Sequence, residues 1–372
     1  LHLGQERFDP FGGGGVGGSG GKTLRFVRRD LRRRLLEAGF DDSFFPKSWQ
    51  MIQIDAPRTA DGAEDGLPST LPANDYVGVA ITDTPYGRYD ESMVTKSPNA
   101  AEAVAGWRPD PNKVLSSIDP TTGAGQLRAI GRVIYTAGIK RVADRIGQAV
   151  MDVLSEQATQ DLSLVQDRLG IPRPPGYTDT PLVVVISSLS GGSGSGMFLD
   201  VCDLLRFMSA RGETHNWLRE PYAVLYAPDV FDELQDLARG GVEPNALAAL
   251  SELMAGSWDV DAFNPTDKAF LEAAGVPGGV PGKIKRGPGY PFVVGRSNGV
   301  ITLENQVAVY QAMGTMLAVV ASHPDVQSSL AAYSRANWTL TQQYGGEVPF
   351  LPARPKSLSA LGYAAVGLGR DL

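Results

Sequence analysis

An uncharged run, Leu182-Val183-Val184-Val185-Ile186-Ser187-Ser188-Leu189, leads directly into Ser190-Gly191-Gly192-Ser193-Gly194-Ser195-Gly196, and Met197-Phe198-Leu199-Asp200-Val201 follows at once. The β-branched content predicts a strand buried on both faces, and Leu199, Val201, Leu204 and Leu205 suit the buried side of a helix. The turn between them holds only glycine and serine. Glycines let backbone amides come close to an anion, and a helix N-terminus adds partial positive charge. The plain alternative is a tight turn or linker, but here both flanks are structured.

Composition narrows the function classes. Hydrophobic residues make up 42% and charged residues 20%, which suits a globular chain with a sizeable core and room for two domains. A net charge of −7 and a pI near 5.1 argue against a general nucleic-acid binder. No apolar run approaches the roughly 20 residues of a bilayer span, and Leu1 to Pro10 lacks the apolar segment of a signal peptide, so the expectation is a cytoplasmic protein. Cys202 is the single cysteine and sits where a core residue is expected. His2, His215 and His323 have no metal-ligand spacing, so neither a metal site nor a histidine triad is predicted.

Along the chain, a glycine loop from Gly12 to Gly21 is expected to open a helix from about Lys22 to Ala38. Leu24, Val27, Leu31 and Leu35 form its apolar stripe, and Arg25, Arg28, Arg29, Arg32 and Arg33 form a solvated face. Met51 to Asp55 reads as a strand ending in a carboxylate, and residues 56–120 as a long decorated connection with a short strand at Tyr76 to Ile81. Further expectations are a helix from Gln126 to about Ala158, strands at Ala223–Ala227 and Pro291–Gly295, a mobile surface loop over 275–291 and a long apolar helix from Gln306 to Ser322. An alternating segment, Leu358 to Leu368, is expected to begin a second sheet. Strands alternating with helices imply a mainly parallel α/β sheet with helices on both faces.

Two glycine loops at strand ends suggest a nucleotide. Gly21-Lys22-Thr23 supplies the end of a P-loop, but the required first glycine falls on Val16. Gly15-Val16-Gly17-Gly18-Ser19-Gly20 satisfies the dinucleotide fingerprint trivially, and Asp55, taken as the acidic residue expected about twenty positions beyond it, lies too far on. That reading, a Rossmann-type NAD(P) oxidoreductase, also leaves the loop at 190–196 without a task.

Ser190 to Gly196 resembles the glycine signature of the tubulin and FtsZ superfamily, with serine in place of threonine. In order along the chain, Gly15 to Gly21 resembles that superfamily's first phosphate loop, Ile54-Asp55-Ala56 the strand end after it, and Gly123-Ala124-Gly125 the loop near the γ-phosphate. Val242-Glu243-Pro244-Asn245-Ala246 is similar to the segment whose glutamate meets the ribose, and Gly295-Arg296-Ser297-Asn298 to the place of a guanine-reading asparagine. The resemblance is nearest to the large bacterial tubulin-like proteins. It implies GTP or GDP as cofactor, with Mg2+, and self-association into filaments. It also implies a nucleotide site made of Gly17, Gly18, Ser19, Gly20, Lys22, Asp55, Gly123, Ala124, Gly125, Gln126, Ser190, Gly191, Gly192, Ser193, Gly194, Ser195, Gly196, Glu243, Asn298 and Asn305. Gln306 is an alternative to Asn305, and Arg128 is a candidate sensor of the terminal phosphate.

The resemblance implies a domain plan as well: a nucleotide-binding domain over 1–300, a central helix and following loop over 301–336, and over 337–372 a tail or the start of an incomplete or divergent second domain. In the superfamily an asparagine and acidic residues after the central helix complete hydrolysis in the neighbouring subunit. This chain has only His323-Pro324-Asp325 and later Asn337 there, so no catalytic residue is assigned. The expected function is a tubulin-like GTP-binding protein whose nucleotide controls self-assembly. The alternative is a nucleotide-binding scaffold that recruits another protein without turnover.

Overall fold

In the computed structural model, which describes residues 10–81, 83–95, 105–110, 117–170, 180–210, 213–234, 239–258, 275–276, 287–344 and 358–362, the uncharged run becomes strand β4, Leu182–Ser188, with every residue buried. It pairs in parallel with β1, Phe11–Val16, on one side and with β5, Tyr222–Tyr226, on the other. β2 is Trp49–Asp55, β3 Tyr76–Gly78, β6 Tyr290–Val294 and β7 Ser359–Ala360. All pairs are parallel, in the order β3-β2-β1-β4-β5-β6-β7.

Alternation along the strands fills two cores. Val183, Val185, Ala223 and Leu225 pack on one face, beneath α2 (Tyr86–Thr95), α3 (Arg128–Val153), α5 (Gly192–Ser209) and α6 (Val242–Trp258). Leu182, Val184, Ile186, Val224 and Tyr226 pack on the other with α1 (Gly17–Glu37) and α7 (Gln306–Ser322). Helices therefore cover both faces of a parallel sheet, as its apolar strands require.

Several expectations change. Gly12 to Gly15 do not form a loop: they are central strand, because β2 and β4 supply ladder partners on both sides. Helix α1 accordingly starts at Gly17, five residues before the expected Lys22. The helix expected over 126–158 is two helices, α3 and α4 (Glu156–Leu169), divided where the Ser155 hydroxyl caps the second by accepting from the Ala158 amide at 3.2 Å. Within 56–120, α2 is anchored by a bidentate Arg108–Asp90 pair at 2.7 and 2.5 Å. Of the loop expected to be mobile over 275–291, Gly287 to Gly289 are buried: the Gly287 amide donates to Asp203 at 2.9 Å, and its carbonyl accepts from Arg206. Residues 277–286 lie outside the described residues.

After α7, helix α8 (Pro324–Tyr344) begins with only His323 between them. Ser359 and Ala360 pair with β6 in the same sheet rather than opening a second one, and 363–372 lie outside the described residues. Cys202 is fully buried, and burial pushes its thiol pKa upward, consistent with a core residue. Among the described residues no helix is long and apolar enough to cross a membrane.

Candidate functional site

The order in which strands are added reverses between β1 and β4, while the strands themselves stay parallel. β1 continues through α1 to β2 on one side, and β4 through α5 to β5 on the other, so two helices start side by side at the carboxyl edge of the sheet. Ligands of open α/β sheets bind at such a switch point. A cleft of about 280 Å³ lies there.

Both helix starts are bare. α1 follows Val16 and α5 follows Gly191; neither has a side-chain cap or an acidic residue in its first turn. Apart from Gly192, whose amide donates to the Gly125 carbonyl, their first amides are thus left for an outside acceptor. The two turns touch through backbone: Gly17 has φ +74°, and a Cβ there would lie 2.7 Å from the Gly194 nitrogen. A Cβ at Gly194 would meet Ser187 Oγ at 2.8 Å and the Val16 carbonyl at 3.0 Å. Only glycine at both places allows the two helix starts to share one cradle.

A third turn closes the cradle. Gly125 carbonyl accepts from the Gly192 amide at 2.9 Å, and Asn245 Nδ2 donates to the carbonyls of Gln126 and Ser190, each at 2.9 Å. Ser190 Oγ and Gln126 Oε1 are buried in the cleft wall without a hydrogen-bond partner among the described residues. Buried polar atoms are seldom left unpaired, and both belong to residues that line the cleft.

On the opposite wall, Ser19 Oγ lies 3.1 Å from the Tyr310 hydroxyl, and Thr23 Oγ1 2.6 Å from that of Tyr226, tying the start of α1 to α7 and β5. Lys22 pairs with Glu64 at 2.7 Å. Buried Arg25 donates to the carbonyls of Asp61 and Gly62 at 2.6 and 3.2 Å, drawing that loop against α1, with Asp61 on the cleft wall.

Asp55, at the end of β2, is 6% exposed. Burial pushes its pKa from 3.8 up to about 6, while the Ala56 amide and the Ser193 hydroxyl, which both hydrogen-bond the carboxylate, pull it down. Between those two values the folded chain holds a proton that the unfolded chain has released. Stability therefore falls as pH rises from about 4 to about 6 and stays at the lower level above that. Asp55→Asn is expected to remove this slope and to stabilise the protein at pH 7 by about 3 kcal/mol, measured by urea melts at pH 4.5 and 7.

The structure brings most of the expected residues together. Gly17, Gly18, Ser19, Lys22, Asp55, Gly123, Ala124, Gly125, Gln126, Ser190, Gly191, Gly192, Ser193 and Gly194 line the cleft. Gly20 packs instead against Gly15 and the Ile186 carbonyl, and Gly196 against the Arg128 carbonyl, where each lets two elements come close. Ser195 is buried, and its hydroxyl donates to the Gly191 carbonyl. Arg128 is held by Glu252 at 2.7 and 2.8 Å and donates to the Ser195 carbonyl at 3.0 Å, away from the cleft.

Glu243 is exposed in the first turn of α6, and Val242 lines the cleft beside it. Asn298 Oδ1 accepts from the amides of Val300 and Ile301 at 3.0 and 2.8 Å, forming its own turn. Asn305 caps α7 by accepting from the Ala308 amide at 2.9 Å, and the next residue, Gln306, lines the cleft with Tyr310. Sequence reasoning missed Asn245, Asp61, Phe231 and Leu234. Asn245 stood inside a quoted segment, but its partners lie 119 and 55 residues away.

These features define a doubly wound α/β protein with a two-helix glycine cradle at its switch point. A family profile described as tubulin like matches residues 15–372, and the chain belongs to that tubulin-like family. No curated protein and no solved structure matches it.

Proposed function

We propose that this chain binds a guanine nucleotide, GTP or GDP, in the cleft between α1 and α5, and that the nucleotide controls head-to-tail self-association in the cytoplasm. The observation that carries the reading is the convergence of two uncapped helix starts, touching at Gly17 and Gly194, on one cleft. In this reading the amides of Gly17 to Ser19, Ser193 and Gly194 hold the phosphates, and the Ser190 hydroxyl donates to them. Asp55 and Asp61 stand on the wall where Mg2+ would balance phosphate charge. Gln306 and Tyr310 take the base side, with Asn298 and Asn305 beyond them, and Glu243 stands at the rim for the ribose.

Self-association through a heterologous face that does not close into a ring gives filaments. A second reading, a scaffold that binds nucleotide without turnover and recruits another protein, is favoured by one observation. α7 passes into α8 through His323 alone, so no loop there carries acidic groups toward a neighbour's phosphates.

Identifying the nucleotide released on denaturing the purified protein tests the binding. Guanine nucleotide is expected, and NAD(P) would overturn both readings. Pelleting with GTP, GDP and a non-hydrolysable GTP analogue, alongside phosphate release, separates the two. GTP-dependent pelleting with phosphate release supports a polymerising GTPase. Pelleting that ignores nucleotide, with no phosphate released, leaves the passive scaffold.

A further inference from the structure

Gly12 and Gly14 are glycines that their surroundings do not demand. On the α1 face of β1, a Cβ at Gly13 would lie 2.8 Å from Leu24 Cδ2 and one at Gly15 2.7 Å from Gly20, so side chains are excluded there. On the opposite face, beneath α3 and α5, the nearest atoms to a Cβ at Gly12 or Gly14 are 3.9 Å away. That is ordinary contact, and both residues lie in regular strand paired on two sides. Glycine weakens a strand interior, and where a larger residue would fit it marks the close approach of another group.

The missing side chains leave an apolar tunnel of about 60 Å³ along the strands. In register across the sheet, Gly12 lies beside Gln50 and Val183, and Gly14 beside Ile52 and Val185. The lining runs from Gln50 to Ile54 on β2, four residues or about 13 Å at ~3.3 Å per residue, under a roof that includes Val150 of α3 and Val201 of α5. So small a volume over that length is narrow, which suits a methylene chain and excludes a ring. A stable water needs two or more polar partners, and the polar side chains in the lining are Gln50, whose amide already donates to the Lys47 carbonyl at 2.9 Å, and Trp217, which offers a single N–H. The lining begins at Gln50 and Pro181, at the amino edge of the sheet, opposite the nucleotide cleft.

The geometry points to a binding site for the end of an unbranched alkyl or acyl chain, entering between α3 and the sheet from its amino edge. The site shares no lining residue with the nucleotide cleft and stands whether or not that reading holds.

Straight-chain alcohols from hexanol to dodecanol, titrated into the full chain below their aggregation concentrations, test it by calorimetry. The dissociation constant is expected to fall about fourfold per added methylene and then level off once the tunnel is full. Gly14→Val, which plugs the tunnel, is expected to weaken binding by at least ~10-fold and to abolish the length dependence, with circular dichroism and retained nucleotide unchanged. If that variant fails to fold, Gly12→Ala and Gly14→Ala serve as smaller plugs and move the plateau to shorter chains. Affinity that climbs with length and never levels off, or equal binding by plugged variants, would overturn the site as surface adsorption. No binding by the wild type, with a higher Tm in Gly14→Ala, would overturn it as a dry packing void.

Discussion

Gly17→Ala is expected to weaken GTP binding by roughly 100-fold, about 2.8 kcal/mol, without unfolding the protein. Two effects act together. At φ +74° an L-residue is strained by about 1 kcal/mol or more, and the new Cβ would lie 2.7 Å from the Gly194 nitrogen and 2.8 Å from its Cα. Both contacts are backbone, so no rotamer change relieves them; one helix start must move away from the other. Amides positioned for one set of phosphate oxygens then miss them by several tenths of an ångström. Gly194→Val is expected to act from the other side, through Ser187 Oγ and the Val16 carbonyl at 2.8 and 3.0 Å. Titration calorimetry with GTP and far-UV circular dichroism check both variants. Unchanged affinity in Gly17→Ala would show that the two turns do not share one ligand.

Asp200→Ala is expected to give the largest loss of stability, about 3–5 kcal/mol. Arg132 of α3 meets Asp200 of α5 through two bonds, at 2.7 and 2.8 Å, with both side chains under 10% exposed and the guanidinium 4.2 Å over the Trp107 ring. Removing the carboxylate leaves a buried cation with no compensating charge. Replacing both partners together, Arg132→Met with Asp200→Leu, is expected to recover most of the loss, because the burial penalty leaves with the charges. Urea melts of the two single variants and the double variant measure it. The same pair fixes α3 against α5, and Gly131 packs on the Gly192 carbonyl and Ser193 at the cradle itself, so Asp200→Ala is also expected to weaken nucleotide binding.

Much of the site could be read from local pattern. Leu182 to Ser188 is apolar enough to be central strand wherever it lands, and a glycine turn into an apolar helix presents that helix's first amides at the carboxyl end of the strand. The assignments that shifted depended on distant partners. Asn298 and Asn305 have side chains able to read a base, but their own backbones offer amides 2.8 to 3.0 Å away. Arg128 stands beside the third loop in sequence, yet Glu252, 124 residues on, holds its guanidinium. Arg25 read as part of a solvated arginine face, but it is buried because the Asp61–Gly62 carbonyls fold over it.

By itself the sequence determined β4, the presence of a glycine turn after it and the apolar faces of α5 and α7, since each follows from residues close together in the chain; the turn is shorter than the expected Ser190–Gly196, because α5 already starts at Gly192. Only the tertiary structure decided that Gly12 to Gly15 form a strand. Glycine has no preference for extended backbone, and the ladder partners that impose it, Trp49 to Ile54 and Leu182 to Ser187, come from elsewhere. The meeting of Gly17 with Gly194 was decided the same way, because the contact that makes two glycine turns one cradle exists only where parallel strands set their helix starts side by side.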